Sequence, residues 1–181
     1  MAIEVRRSGP ADRPAILRLI DAARGTELSA SERAERGFVQ GAWDETALAQ
    51  YESGPGVFVA VDQDGALAGF AMTAEPETAH DGPPKLAVDA ARAALGEQRL
   101  LMYGPVAVDP SFQGRGVLTS LLSAAIAHLR DTFDIGVLFV EDANQKSLAV
   151  HRHYGMTEVP GFTVGARDYH VFTFDLASLP V

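Results

Sequence analysis

Cysteine is absent from all 181 residues. Disulfides, thiolate metal sites and a thiol nucleophile are therefore excluded. Lysine is nearly absent, with only Lys85 and Lys146, so arginine carries most of the positive charge; we read this as codon usage. Positive charge is itself scarce. Fifteen Lys and Arg stand against 24 Asp and Glu, for a net charge of −9. That balance lacks the basic face a nucleic-acid binder needs. No apolar run approaches the roughly 18–20 residues of a membrane span. The opening "MAIEVRRSGPADRP" has no apolar centre of a secretory signal. These absences predict a cytoplasmic protein with neither nucleic acid nor membrane as partner. Repeats, low-complexity tails and linker compositions are missing too, so 1–181 reads as one domain. Hydrophobic residues make up 47% of the chain, enough for a sizeable core.

The elements follow from periodicity and punctuation. "IEVRR" alternates like a strand. Asp12 reads as the N-cap of a helix carrying Pro14, Ile16, Leu17 and Ile20, which stops at Gly25. Ser29 and Glu32 form a capping box for a polar helix. Asp44 caps a third helix. "GVFVAVDQDGALAGFAMTA" reads as a hairpin turning at Asp62–Gly65. Residues 75–99 are loop-like and then alanine-rich, and read as an insertion or long connection. "RLLMYGPVAVDP" is a long strand. Pro105 in its middle removes a ladder donor and predicts a bulge or splay. An amphipathic helix runs from Val117 to about Arg130, "IGVLFV" is a strand buried on both faces, and a shorter helix closes at Gly155. "FTVGARDYHVFTFDL" supplies the last strands. The strand–helix–strand unit around 101–140 implies a parallel pair inside a mixed sheet.

The stretch "DPSFQGRGVLTSLL" joins a strand to a helix through a turn of small residues. A helix N-terminus offers about four backbone N–H groups without internal partners, and roughly half a positive charge. Gly114 and Gly116 remove side chains from that approach, and Gln113 or Arg115 can add a donor. Chemically this is an anion cradle. It is neither a nucleotide P-loop nor a dinucleotide fingerprint: no Lys-Ser/Thr follows the glycines, and position 119 is Thr. A plain strand-to-helix turn would ask for the same glycines.

The frame around the turn resembles the acyl-CoA motif of the Gcn5-related N-acetyltransferases, through Val108, Pro110, Gln113 and Gly116. Leu118 departs, where that family prefers a small residue. "NQKSLAVHRHYGM" resembles the family's next motif through Asn144, Ser147 and Gly155, with Met156 in place of Phe. The resemblance covers the chain in element order and residues 100–156 by motif. It implies an α/β fold: a mixed, mostly antiparallel sheet of about seven strands with a splayed parallel central pair, flanked by helices. It implies acetyl-CoA as acyl donor, with no metal. Val106, Ala107 and Val108 would pair with the pantetheine. Gln113, Gly114, Arg115, Gly116, Val117, Leu118 and Thr119 would hold the pyrophosphate. Asn144 and Ser147 would lie near the thiol end.

The family's usual tyrosine acid falls at His151, whose ordinary pKa lies near neutrality. Tyr154, one turn on, is the alternative proton donor. His151 and His153 stand two apart on a helix and diverge, so they make no metal pair. Glu97, Tyr103 and Glu141 are candidates for the general base, though each also reads as structural. Phe38 and Trp43 lie in the region that walls the acceptor site in this fold. Glu32, Glu35, Asp44 and Glu45 give that region negative charge, compatible with a cationic acceptor. The expected function is N-acetylation of a primary amine on a small molecule or peptide, by direct attack in a ternary complex. The alternatives are a non-catalytic acyl-CoA-binding module and a toxin-like domain acting on charged tRNA. Exposed apolar C-terminal strands would be compatible with a homodimer.

Overall fold

The computed structural model describes residues 3–24 and 29–179. The chain runs β1 (Ile3–Arg7), α1 (Arg13–Ala23), α2 (Ala30–Arg36), α3 (Glu45–Ser53), β2 (Gly56–Asp62), β3 (Leu67–Ala74), α4 (Gly82–Leu95) and β4 (Leu100–Val108). It continues as α5 (Val117–Leu129), β5 (Ile135–Glu141), α6 (Gln145–His153), β6 (Thr157–Val164) and β7 (Arg167–Asp175). The seven strands form one sheet in the order β1-β2-β3-β4-β5-β7-β6. Every pairing is antiparallel except β4 with β5. The expected Gly25 helix stop lies outside the described residues.

The parallel pair is short. Leu100, Leu101 and Met102 match Ile135, Gly136 and Val137, and the ladder ends there. Beyond it β4 stays on β3, through a register shift between Ala71 and Thr73, while β5 stays on β7 to Glu141. The parting begins where the chain reads Tyr103-Gly104-Pro105, a site at which proline cannot donate to a ladder. Glycine has its own reason one strand over. A Cβ on Gly136 would lie 2.1 Å from Phe174 Cζ, so β5 carries no side chain there.

Helices cover both faces. On one, Val117, Leu121, Leu122 and Ala125 of α5 pack with Phe58, Leu101, Phe172 and Phe174. On the other, Ile16, Ile20 and Leu48 of α1 and α3 pack on Val57, Val59, Phe70 and Met72. Beside them α4 buries Ala87, Val88 and Ala91 against Leu100, Val137, Val159 and Val171. The segment read as an insertion therefore roofs the β5–β7–β6 part of the sheet.

Three expectations change. Asp12 does not cap α1 with its side chain. Its carboxylate is taken by both Nη atoms of Arg6, at 2.8 Å each, and by the Gly9 N–H at 2.9 Å, so a 3-10 turn at Pro10–Asp12 precedes the helix. The last strands begin at Thr157 rather than near 162, because the residues after Met156 already pair with β7. The apolar C-terminal strand is not exposed. β7 sits inside the sheet with Tyr169, Val171, Phe172 and Phe174 buried, and the edge is the polar, Pro160-bearing β6. A proline on an edge discourages strand addition, which removes the reason given for dimerisation. The caps at Ser29/Glu32 and Asp44 form as read. Among the described residues, no helix is long and apolar enough to cross a membrane.

Candidate active site

The turn into α5 is built on two left-handed glycines, Gly114 at φ +73° and Gly116 at φ +74°. A Cβ at either would meet no protein atom within 4 Å, so backbone conformation selects glycine there. Phe112 is buried and anchors the turn, and the Asp109 side chain accepts from the Ser111 N–H at 2.9 Å. The first bond inside α5 runs from Ser120 N–H to Gly116 O at 3.0 Å, which leaves the amides of Val117, Leu118 and Thr119 unused by the helix. Lys146, on the facing helix α6, donates to Gln113 Oε1 at 3.0 Å. The turn thus carries a lysine ammonium beside amides that the helix leaves unused.

A cavity of 410 Å³ starts at this turn and follows the parted edge of β4 to α6. Val106, Ala107, Val108, Gln113, Gly114, Gly116, Val117, Leu118 and Thr119 line it, with Asn144, Ser147, His151 and Tyr154 opposite. Leu118 stands in its wall without filling it. Arg115 is not among the lining residues; its guanidinium lies 5.5 Å from the centre of the Phe112 ring. A second cavity, of 610 Å³, opens on the other side of the splay. Its walls come from Gln40, Trp43 and Tyr51, from Pro83 and Pro84 at the start of α4, and from Val164, Arg167 and Tyr169 of the last hairpin. The two cavities share Phe38, Val39, Val106, Asn144, Ser147 and His151.

His151 stands at that junction. Its Nδ1 lies 2.7 Å from the Ser147 carbonyl oxygen. A carbonyl only accepts, so Nδ1 carries the proton and Nε2 holds the lone pair. The ring stacks on Phe172 at 5.8 Å. Burial pushes its pKa below the ordinary histidine value, against an opposing bond to Ser147. The imidazole is neutral near pH 7. Tyr154 lines only the first cavity, and its hydroxyl is paired with Thr119 Oγ1 at 2.6 Å. That pair ties α6 to the first turn of α5.

Asn144 is 7% exposed, and both ends of its amide are engaged. Oδ1 accepts from Ser147 N–H at 3.3 Å, capping α6, and Nδ2 donates to Phe38 O at 3.0 Å. Of the base candidates, Glu97 is exposed after α4 and lines neither cavity. The Tyr103 hydroxyl is buried beside Phe174 without a partner among the described residues, and burial raises its pKa, so it stays protonated. Glu141 is buried and lines the second cavity. Its Oε2 accepts from the Gln40 amide and lies 3.7 Å from Arg167 Nη1. The four acidic residues expected to favour a cationic acceptor line neither cavity. Glu32 and Asp44 cap helices, and Glu35 accepts from Ser31 Oγ at 3.3 Å. Gln40, Lys146 and Arg167 escaped the sequence reading. The scarcity of lysine could have marked Lys146; nothing local marks Gln40 or Arg167.

The profile of the acetyltransferase (GNAT) family matches residues 22–156. A mycothiol acetyltransferase of Propionibacterium freudenreichii is 37% identical over 117 residues, which cover 62% of this chain and 29% of that protein. The chain thus matches less than a third of that relative's length. Among solved structures, a GCN5-related N-acetyltransferase from Kribbella flavida superposes with a TM-score of 0.64 at 23% identity, covering 96% of this chain and 98% of that one. The Salmonella typhimurium protein yncA, solved with its cofactor acetyl-CoA, gives 0.62 at 18% identity and 99% coverage of both chains.

Proposed function

The chain belongs to the acetyltransferase (GNAT) family, and from that premise we propose that it transfers the acetyl group of acetyl-CoA to a primary amine by direct attack in a ternary complex. The observation that carries the reading is the junction. A cavity that begins at an anion cradle and one that opens toward the acceptor side meet at His151, whose Nε2 holds a lone pair.

The residues of the first cavity fit the donor. The unused amides of Val117, Leu118 and Thr119, with Lys146 beside them, suit a pyrophosphate. Past Met102 the β5-facing edge of β4 has no ladder partner among the described residues, so its backbone groups at Val106 to Val108 suit an extended amide chain such as pantetheine. When bound, acetyl-CoA supplies a thioester carbonyl with a good leaving sulfur. The acceptor nitrogen forms a bond to the carbonyl carbon, the carbon–sulfur bond breaks, one proton leaves nitrogen and one reaches sulfur. His151 serves both proton steps: Nε2 takes the amine proton and returns one to the thiolate. The Ser147 carbonyl holds the ring in the tautomer that this needs. Asn144 and the Tyr154–Thr119 pair position α6 against the cradle.

The test is calorimetric titration with acetyl-CoA, for the wild type and for Gly116→Asp. Micromolar binding is expected. The variant brings a carboxylate to the cradle and should lose at least tenfold in affinity. Its folding cost is limited to the left-handed backbone, about 1–2 kcal/mol. Absence of binding to the folded wild type would overturn the reading.

A further inference from the structure

The second cavity has an unusual charge pattern. Among the described residues lining it, the charged side chains are one carboxylate, Glu141, and one guanidinium, Arg167. They differ in how firmly they are held. The Glu141 side chain is 9% exposed, and both of its contacts, from the Gln40 amide and from Arg167, fall on Oε2. Oε1 has none among the described residues. Arg167 stands on the first residue of β7, just past the β6–β7 turn, with 60% of its side chain exposed. Its reach to Glu141 is 3.7 Å, longer than a hydrogen-bonded ion pair. Gln40, Asn144, Ser147 and His151 add neutral polar groups, and the rest of the wall is apolar or aromatic. Trp43 and Tyr51 meet edge-on at 5.1 Å, and Pro83 and Pro84 close the far side.

Resting on the acetyltransferase reading above, we infer that the acceptor is a free α-amino acid with an apolar or aromatic side chain. A zwitterion matches the pair. Its ammonium takes Glu141 Oε1, its carboxylate takes the guanidinium of Arg167, and its side chain lies against Trp43, Tyr51 and the two prolines. The long Glu141–Arg167 contact is then exchanged for two charge-assisted hydrogen bonds, each stronger than what it replaces. A polycationic acceptor finds one carboxylate with a guanidinium beside it, which opposes further positive charge. A peptide N-terminus carries no carboxylate next to its amine and leaves Arg167 with only its long contact to Glu141. The ammonium loses its first proton to solvent before attack; the second leaves nitrogen as the new bond forms, and the neutral Nε2 of His151 at the cavity junction is the group placed to take it and pass it to the thiolate.

The experiment compares L-phenylalanine, L-phenylalanine amide and 2-phenylethylamine as acceptors at fixed acetyl-CoA, after calorimetry has established acetyl-CoA binding. The free acid should exceed both others in kcat/KM by about tenfold or more, with the difference in KM. Arg167→Gln should bring the acid-to-amide ratio to near one, and Arg167→Glu should invert it in favour of the amide. Saturation-transfer NMR of L-phenylalanine on the CoA-bound protein reads the same site without turnover. Its signal should weaken in Arg167→Gln while acetyl-CoA affinity, the check on folding, holds. An amide or amine used as well as the acid, an unchanged ratio in both Arg167 variants, or acetyl-CoA binding with no free amino acid consumed would overturn the inference and leave the acyl-donor reading standing. Loss of acetyl-CoA binding in the wild type would overturn both.

Discussion

Asn144 separates a structural tie from a ligand contact, and its replacement by alanine has a magnitude that can be worked out. The side chain makes two bonds at one buried point. Oδ1 caps α6 on the Ser147 N–H, and Nδ2 holds Phe38 O, 106 positions earlier in the chain. Loss of an N-cap costs about 1 kcal/mol. Loss of the bond to Phe38 O, which leaves a half-buried carbonyl unpaired, costs about 1 kcal/mol more. Together these give about 2 kcal/mol, or a fall in Tm of about 4–8 °C for a chain of this size. Asn144→Asp should lose only the second bond. Its carboxylate still caps α6 and gains from the helix dipole, but it faces the Phe38 carbonyl with no donor. The expected order of Tm is therefore wild type, then Asn144→Asp, then Asn144→Ala, read by thermal unfolding followed by circular dichroism. Phe38 lines both cavities, so acceptor KM should rise in both variants alongside the change in Tm. If Asn144→Ala melts with the wild type yet loses acetyl-CoA binding, the side chain is a ligand contact and the structural account is refuted.

His151→Gln should lower kcat by about 100-fold while changing acetyl-CoA affinity far less. In the wild type, kcat should rise with pH through an inflection below 6.5, because burial favours the neutral ring; a retained inflection in the variant would clear His151 of the proton step. Gly136→Ala should cost about 1–3 kcal/mol by overpacking against Phe174, and a Tm within 1 °C of wild type would contradict the packing there. His170 is bonded to Glu158 and Asp142, first by the Glu158 bond, and its pKa is raised, while Glu158, held first by His170, is lowered. The His170 contribution to stability is present below its unfolded value near 6.5 and fades as pH climbs through the raised folded value. The Glu158 contribution fades as pH falls below about 4.5. Tm measured from about pH 2.5 to 9 should show both losses in the wild type, and the loss above 6.5 should vanish in His170→Gln.

Features controlled by short spacing along the chain could be read before folding. The caps at Ser29, Glu32 and Asp44 act over three residues, so they could be read and they form. The glycine turn into α5 was legible because a strand, two glycines and an apolar helical stripe lie in one continuous run from Val106 to Leu122. Pro105 announced the splay because a missing N–H is a property of the residue itself. Asp12 shows where this stops: its cap signal was outcompeted by Arg6, on a neighbouring strand end, and by Gly9. The side-chain pairs that wall the two cavities came from long-range packing. The Gln40 amide meets Glu141 across 101 positions, Arg167 reaches the same carboxylate from the last hairpin, and Thr119 meets Tyr154 because α5 and α6 lie on one face of the sheet. The 75–99 segment looked like an excursion, and its role as a roof exists only once β5, β7 and β6 lie side by side beneath it. Tertiary structure decided these pairs because strand order, not spacing along the chain, sets which side chains share a cavity.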